Sequence, residues 1–234
     1  LSTYPLVAHA GTEKAKRGAR IYLSILLTTS IAFFLPAIIW TYHMAGTTDF
    51  KLGGIFPAET SHFALGFLLI LFCFGVGKAA LMPFHRWLPS AMVAPTPVSA
   101  LLHAVAVVKA GVFAILKIMV FVFGVDLLTE LPARDIMLYV TGVTILLSSL
   151  IAMAQDNLKA RLAYSTVSQL GYVTLGALLA IDVATVGSTM HIAMHAFGKI
   201  TLFFCAGAFM VAAHKTEISQ MRGIGHAMPF TTLA

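Results

Sequence analysis

Residues 74–117, FGVGKAALMPFHRWLPSAMVAPTPVSALLHAVAVVKAGVFAILK, decide how this chain is to be read. An apolar segment carries Lys78, breaks around Pro83 and restarts at Trp87. It breaks again at Ala94-Pro95-Thr96-Pro97, then runs apolar with His103 and Lys109 inside it. A simple hydrophobic anchor is not written this way. In lipid every backbone N–H and C=O must be satisfied internally, so a broken helix at membrane depth is tolerated only where it is buried in protein or lines a wet cavity. A lysine beside such a break is a functional candidate by default.

Outward from this stretch, the 234 residues are 59% hydrophobic and 10% charged, with a mean hydropathy of +0.91. That balance predicts an all-α polytopic membrane protein, a single transmembrane domain over residues 1–234. Cys73 and Cys205 sit alone in apolar runs without CxxC or Cys/His spacing, so neither a disulfide framework nor a metal site is expected. No flavin, haem or iron–sulfur signature is present, and no cofactor is expected. The net charge of +6 lacks a basic cluster with interleaved aromatics, which argues against nucleic acid and for basic loops facing the cytoplasm. The chain opens at Leu1 without a methionine and stops at Ala234 as MPFTTLA begins another apolar run, so we expect the internal part of a longer protein.

A spanning helix needs about 20 mostly apolar residues. Six stretches qualify: Ile21–Met44, His62–Val93 with its break around Lys78–Trp87, Val98–Val125, Ile136–Ala154, Arg161–Ile181 and Val186–Ala213. The connections at residues 13–20, 155–161 and 214–222 hold Lys14, Lys16, Arg17, Arg20, Lys159, Arg161, Lys215 and Arg222, whereas the opposite side holds only Lys51 and Arg134. The positive-inside bias predicts that these three connections are cytoplasmic. All acidic residues fall in connections, so the span interiors are wholly basic. Each buried lysine must pair with a carboxylate from elsewhere, be hydrated, or be neutral part of the time.

Several groups stand out as candidates. Lys78 lies near the end of a half-helix, where unpaired carbonyls favour a cation; the bland alternative is a snorkelling lysine. His103 is either a core histidine satisfied by a carbonyl or a relay, Lys109 sits near the middle of its span, and Lys117 is better placed to snorkel. Ser165, Gln169 and Tyr172 share one face of the fifth span and either glue helices or line a water chain. In HIAMHAFGK, His191, His195 and Lys199 lie at i, i+4 and i+8 and make one stripe, a ladder along which a proton can step through waters. The HxxxH pair also suits zinc, but no HExxH glutamate or third ligand accompanies it.

The runs GVGKAALMPFHRWLPSAM, APTPVSALLHAVAVVKAGVFAI, DNLKARLAYSTVSQLGY and HIAMHAFGKITLFFCAGA resemble the antiporter-like membrane subunits shared by Mrp-type multisubunit cation/proton antiporters, respiratory complex I and membrane-bound hydrogenases. The opening LSTYPLVAHAG and closing KTEISQMRGIGHAMPFT resemble the D-type branch of the Mrp antiporter subunits. The resemblance implies about fourteen helices in two inverted repeats, each with a broken helix, of which this chain would supply about the sixth to the eleventh. It implies that Lys78 is the broken-helix lysine, that Lys109 and His103 are the central basic positions of the next helix, and that Lys199, His191 and His195 lead toward a second half channel. The glutamate partner of Lys78 and the second broken helix would then lie outside residues 1–234.

The expectation is a proton-translocating subunit of a cation/proton antiporter, not itself an enzyme. Protons would pass along Lys78, Lys109 and Lys199, with His103, His191 and His195 as relays and Ser165, Gln169 and Tyr172 lining water. Expected partners are other membrane subunits, homologous antiporter-like subunits among them, together with protons, sodium as a further candidate ion, and the lipid of a bacterial or archaeal cell membrane. The alternative is a pumping subunit of an NADH:quinone oxidoreductase or membrane-bound hydrogenase. A scaffold whose lysines only hold subunits together is the third.

Overall fold

The computed structural model describes residues 3–233, with the side chains at 104 and 105 excepted. The described residues are helical apart from turns, loops and one isolated antiparallel bridge between Asn157 and Glu217. Six helices set the architecture: α1 (Glu13–Ala45), α2 (His62–Gly75), α3 (Thr96–Phe123), α4 (Pro132–Ala154), α5 (Leu158–Leu179) and α6 (Asp182–Ala213). They match the six expected stretches in order, all but α2 starting earlier than expected because part of the preceding connection is helical. Four of them, α1, α3, α4 and α6, are long and apolar enough to cross a membrane. The other two fall short for different reasons: α5 is long enough at 22 residues but is studded with Ser, Thr, Gln and Tyr, and α2 ends after 14 residues.

The end of α2 is written in its sequence. Gly75 and Gly77 weaken the helix, and Pro83 and Pro89 cannot continue it. The chain goes on as short turns at Gly77–Ala79 and Phe84–Arg86, a single helical turn at Trp87–Ser90, and a further turn at Ala91–Val93. The freed backbone groups find partners inside the protein. The indole of Trp87, fully buried, donates to the Gly77 carbonyl at 2.9 Å, and the Met82 amide donates to the Thr144 hydroxyl at 3.3 Å. At the second break the Ala94 carbonyl accepts from the Ser99 hydroxyl at 3.1 Å and from the Lys159 ammonium at 3.3 Å. The irregular backbone is thus clamped by α4, α5 and its own indole, as burial in an apolar medium demands.

Starts and bends of the long helices follow local rules. The Thr12 hydroxyl accepts from the Ala15 amide at the start of α1, and the Asn157 side-chain oxygen accepts from the Ala160 amide at the start of α5, both residue types that favour the N-cap. Both α1 and α3 carry wide turns in which an amide reaches back five residues: Leu35 to Ser30, Ala106 to Leu101 and Gly124 to Met119. The middle one carries His103, and such turns recur at functional sites.

The connections sort to two ends. Residues 155–158 and 216–219 are hydrogen-bonded to each other, Lys159 reaches Ala94, and Gly18 of α1 packs against the Ser90 carbonyl. The three basic connections therefore share one end of the bundle. At the other end residues 51–55 pair with Phe121 and Val122, and His62 lies 3.9 Å from Glu130. On α4 the residues Ile136, Tyr139, Val143, Leu146 and Leu150 are exposed, an apolar face suited to lipid or a neighbouring helix.

Close backbone approach fixes α3 against the break. A Cβ at Gly111 would meet the backbone of Lys78 and Ala79 at 2.6 Å, whereas one at Gly142 of α4 meets nothing within 4 Å. Gly111→Ala is therefore expected to destabilise the assembled protein by about 1–3 kcal/mol, while Gly142→Ala leaves its thermal unfolding temperature unchanged or slightly raised. A calorimetric or fluorescence melt of the two variants checks the pair.

Candidate functional site

The site lies where α3, α5 and α6 meet. Because α5 and α6 are joined by the two residues Ala180 and Ile181, they run antiparallel as a hairpin. The Ser165, Gln169, Tyr172 face of α5 then lies opposite Lys199, His195, His191 of α6 in reversed order. Lys199, buried, donates to the Ser165 hydroxyl at 2.8 Å and to the Leu162 carbonyl at 3.3 Å. At the other end of the stripe the Tyr172 and His191 rings have centroids 6.3 Å apart. Gln169, Tyr172, Ser188 and His191 line a cavity of about 510 Å³ between the two helices. A water occupies about 30 Å³ of liquid volume, so this groove is large enough for several of them.

α3 supplies the second component. Lys109, buried, makes a hydrogen bond with Nδ1 of His195 across the helix interface. The His191 and His195 rings stack with centroids 6.0 Å apart and planes 13° from parallel. Lys109, His195 and His191 thus form a continuous run, and Lys199 stands one helical turn beyond His195 on the same face. Among the described residues no carboxylate forms a salt bridge with Lys78, Lys109 or Lys199.

Chemistry fixes the protons in this run. An ammonium has only donors, so a charged Lys109 makes Nδ1 of His195 an acceptor and puts the imidazole proton on Nε2. Nε2 of His195, Nε2 of His191 and both ring nitrogens of His103 are buried without a protein partner. Buried polar atoms seldom stay unpaired, and these nitrogens are open to a bridging water. Two unit charges about 4 Å apart repel by on the order of 4 kcal/mol in a medium of effective dielectric 20. Charging both Lys109 and His195 at once is therefore unfavourable.

Lys78 stands apart. It is exposed and lines cavities of about 310 and 170 Å³, the first with Tyr22, Ser30 and Val107, the second with Ser30, Ala110 and Gly111. Gly111, against which its backbone packs, is two residues from Lys109 and so projects from nearly the opposite side of α3. The structure brings together Lys109, His191, His195, Lys199, Ser165 and Tyr172, and sets Lys78 behind α3. His103 is fully buried, its ring 5.4 Å from Phe203 of α6. Lys117 lies 4.1 Å above the Phe50 ring at the far end of α3, a cation–π contact in place of free snorkelling.

Sequence reasoning missed the polar contacts that hold these helices. Thr141, Thr144 and Ser148 make a buried stripe on α4 at i, i+3 and i+7, and Ser149 bonds Ser168 of α5 at 2.8 Å. Their helical spacing was the available signal. His85, in the break, faces Tyr164 of α5 with ring centroids 6.1 Å apart, and only the fold reveals that proximity. Among the described residues no group of three His, Cys, Asp or Glu side chains suits a metal.

The chain is similar to known proteins over nearly all its length. It is 36% identical to a probable K(+)/H(+) antiporter A/B subunit of Rhizobium meliloti over 94% of its residues and 22% of that protein. It is 32% identical to NADH-quinone oxidoreductase subunit L of Escherichia coli over 100% of its residues and 38% of that protein, and 39% identical to F(420)H(2) dehydrogenase subunit L of Methanosarcina mazei over 74% and 25%. Among solved structures it superposes on a chain of the Mrp complex from Dietzia sp. DQ12-45-1b with a TM-score of 0.79 and 30% identity, covering 89% of this chain and 22% of that one. The chain thus spans between about a fifth and two fifths of the length of these relatives. The transmembrane family model of NADH:quinone oxidoreductases and Mrp antiporters matches residues 1–234, and the chain belongs to that family.

Proposed function

We propose that this chain is the proton-conducting part of an antiporter-like subunit in a multisubunit monovalent cation/proton antiporter. The observation that carries it is the Lys109–His195 bond inside an apolar bundle with no carboxylate paired to it among the described residues. A proton reaching Lys109 is handed to Nδ1 of His195. The imidazole then releases its Nε2 proton through water, toward His191 and the cavity beside Tyr172 or toward Lys199. Repulsion between neighbouring cations keeps the proton moving, because loading one site discharges the next. Ser165 holds the Lys199 ammonium, and Gln169 and Tyr172 border the wet end. Lys78 joins this route around α3 rather than through contact with Lys109. His103 serves as a relay only through water, since neither of its ring nitrogens meets a protein partner among the described residues.

The K(+)/H(+) antiporter and Mrp relatives favour antiport, with other membrane subunits of the same complex as partners and sodium or another monovalent cation as counter-ion. The subunit L relatives favour the second reading, a pumping subunit driven by redox chemistry elsewhere. Relatives of both kinds support an antiporter-like subunit in general. The lysines and arginines of the three basic connections favour the cytoplasmic side of a bacterial or archaeal cell membrane for that end of the bundle.

A relay must exchange its proton, whereas a structural cation need only stay charged. Arginine is effectively never deprotonated, and methionine keeps much of the length without the charge. Both Lys109→Arg and Lys109→Met are therefore expected to abolish proton-coupled transport in vesicles while the complex still assembles. Normal transport by Lys109→Arg at equal assembly would make Lys109 a fixed charge that the relay bypasses. Losing a hydrogen bond to a charged group costs about 1.5–3 kcal/mol, so Ser165→Ala is expected to lower transport about tenfold and Ser165→Thr to retain it. The same vesicle assay reads both.

A further inference from the structure

We propose that Asp156 is a positioning residue: it clamps the segment following α6 onto the start of α5 and so fixes the register in which Ser165 meets Lys199. This rests on the relay reading above. At one end the α5–α6 hairpin is tied by the Ala180–Ile181 turn, where Ala180 is left-handed with φ 55°. A pair of helices tied at one end is free to slide and splay at the other. A helix rises about 1.5 Å per residue, and a hydrogen bond is lost beyond about 3.5 Å, so a slip of two residues' rise, about 3 Å, breaks the 2.8 Å Lys199–Ser165 bond even where the slip runs perpendicular to it.

The far end is tied by residues outside the relay. His214, left-handed with φ 53°, ends α6 and turns the chain back across the start of α5. The Leu158 amide donates to the Thr216 carbonyl at 3.0 Å, and the Ile218 amide donates to the Asp156 carbonyl at 2.8 Å. The Asp156 carboxylate takes the Ser219 amide on one oxygen at 2.9 Å and the Ser219 hydroxyl on the other at 2.7 Å. These two donors, the hydroxyl foremost, hold that carboxyl below its usual range. The Asn157 amide donates to Glu217 at 3.2 Å.

The neighbouring cations are engaged elsewhere. Arg161 donates to the carbonyls of Ala152 and Met153 at 3.2 and 3.1 Å, and Lys159 donates to that of Ala94 at 3.3 Å. Asp156 therefore acts as a two-pronged acceptor rather than as half of an ion pair. An asparagine can do the same, with its oxygen on the Ser219 amide and its nitrogen donating to the Ser219 hydroxyl oxygen.

In the full complex in vesicles, at equal assembly, Asp156→Ala is expected to lower proton-coupled transport at least fivefold and Asp156→Asn to keep it near normal. Asn157 and Glu217 are bridge partners, whose Cα atoms in such a pair lie about 4.5–5.5 Å apart, within disulfide range. Adding Asn157→Cys and Glu217→Cys to Asp156→Ala should restore transport on oxidation and lose it again on reduction, a reversal that a folding defect would not show. Ser219→Ala, which removes the hydroxyl prong alone, is expected to give an intermediate loss and decides the matter if Asp156→Ala does not assemble. Normal transport by Asp156→Ala or by Ser219→Ala, or a disulfide that blocks transport until reduced, overturns the proposal. If Lys109→Met in the same assay is inactive while Asp156→Ala is normal, only the positioning role fails; if Lys109→Met transports normally, the relay itself fails.

Discussion

Two buried cations inside an apolar bundle, Lys109 and Lys199, with no carboxylate paired to them among the described residues, are the constraint on which the rest of this structure depends. A buried ammonium needs acceptors, and the fold supplies them one at a time. Lys199 takes a hydroxyl and a carbonyl from α5, and Lys109 takes an imidazole nitrogen from α6. Each acceptor is neutral, so each holds the cation without fixing it there as a carboxylate would. An ammonium held this way can give its proton to a neighbouring base. That separates a relay from a salt bridge, and it makes the imidazole of His195 the pivotal group.

The irregular backbone serves the same end. The break after α2 brings Lys78 to the side of α3 opposite Lys109, and Gly111 lets α3 lie directly against it. Trp87, Thr144, Ser99 and Lys159 then absorb the carbonyls and amides that the breaks expose. The wide turn at Leu101–Val105 sets His103 against Phe203 of α6. Irregular segments thus hold the basic groups on two sides of one helix, so that the proposed route from Lys78 to Lys109 has to pass around α3.

Much of this was legible because membranes restrict what a sequence can do. Apolar runs placed six helices in order, four of them long and apolar enough to span, and the Gly and Pro residues around Lys78 marked the break. The i, i+4, i+8 stripe of His191, His195 and Lys199 and the matching face of Ser165, Gln169 and Tyr172 were each readable from helical periodicity. Their meeting was not, since it depends on the two-residue turn that makes α5 and α6 antiparallel. The Lys109–His195 bond joins residues 86 apart in the chain, and periodicity within a helix says nothing about which helix it faces. Contacts between connections, such as Asp156 with Ser219, carry no periodic signal at all.

The central claim is that a proton passes between Lys109 and His195, and time-resolved infrared spectroscopy of the assembled complex, with ¹³C-labelled histidine, tests it most directly. After a pH jump, the account predicts a transient imidazolium band that disappears in His195→Gln and also in Lys109→Met, rising and falling with the time constant of transport. Undiminished transport with no histidine band, or a His195 band unchanged in Lys109→Met, would contradict it.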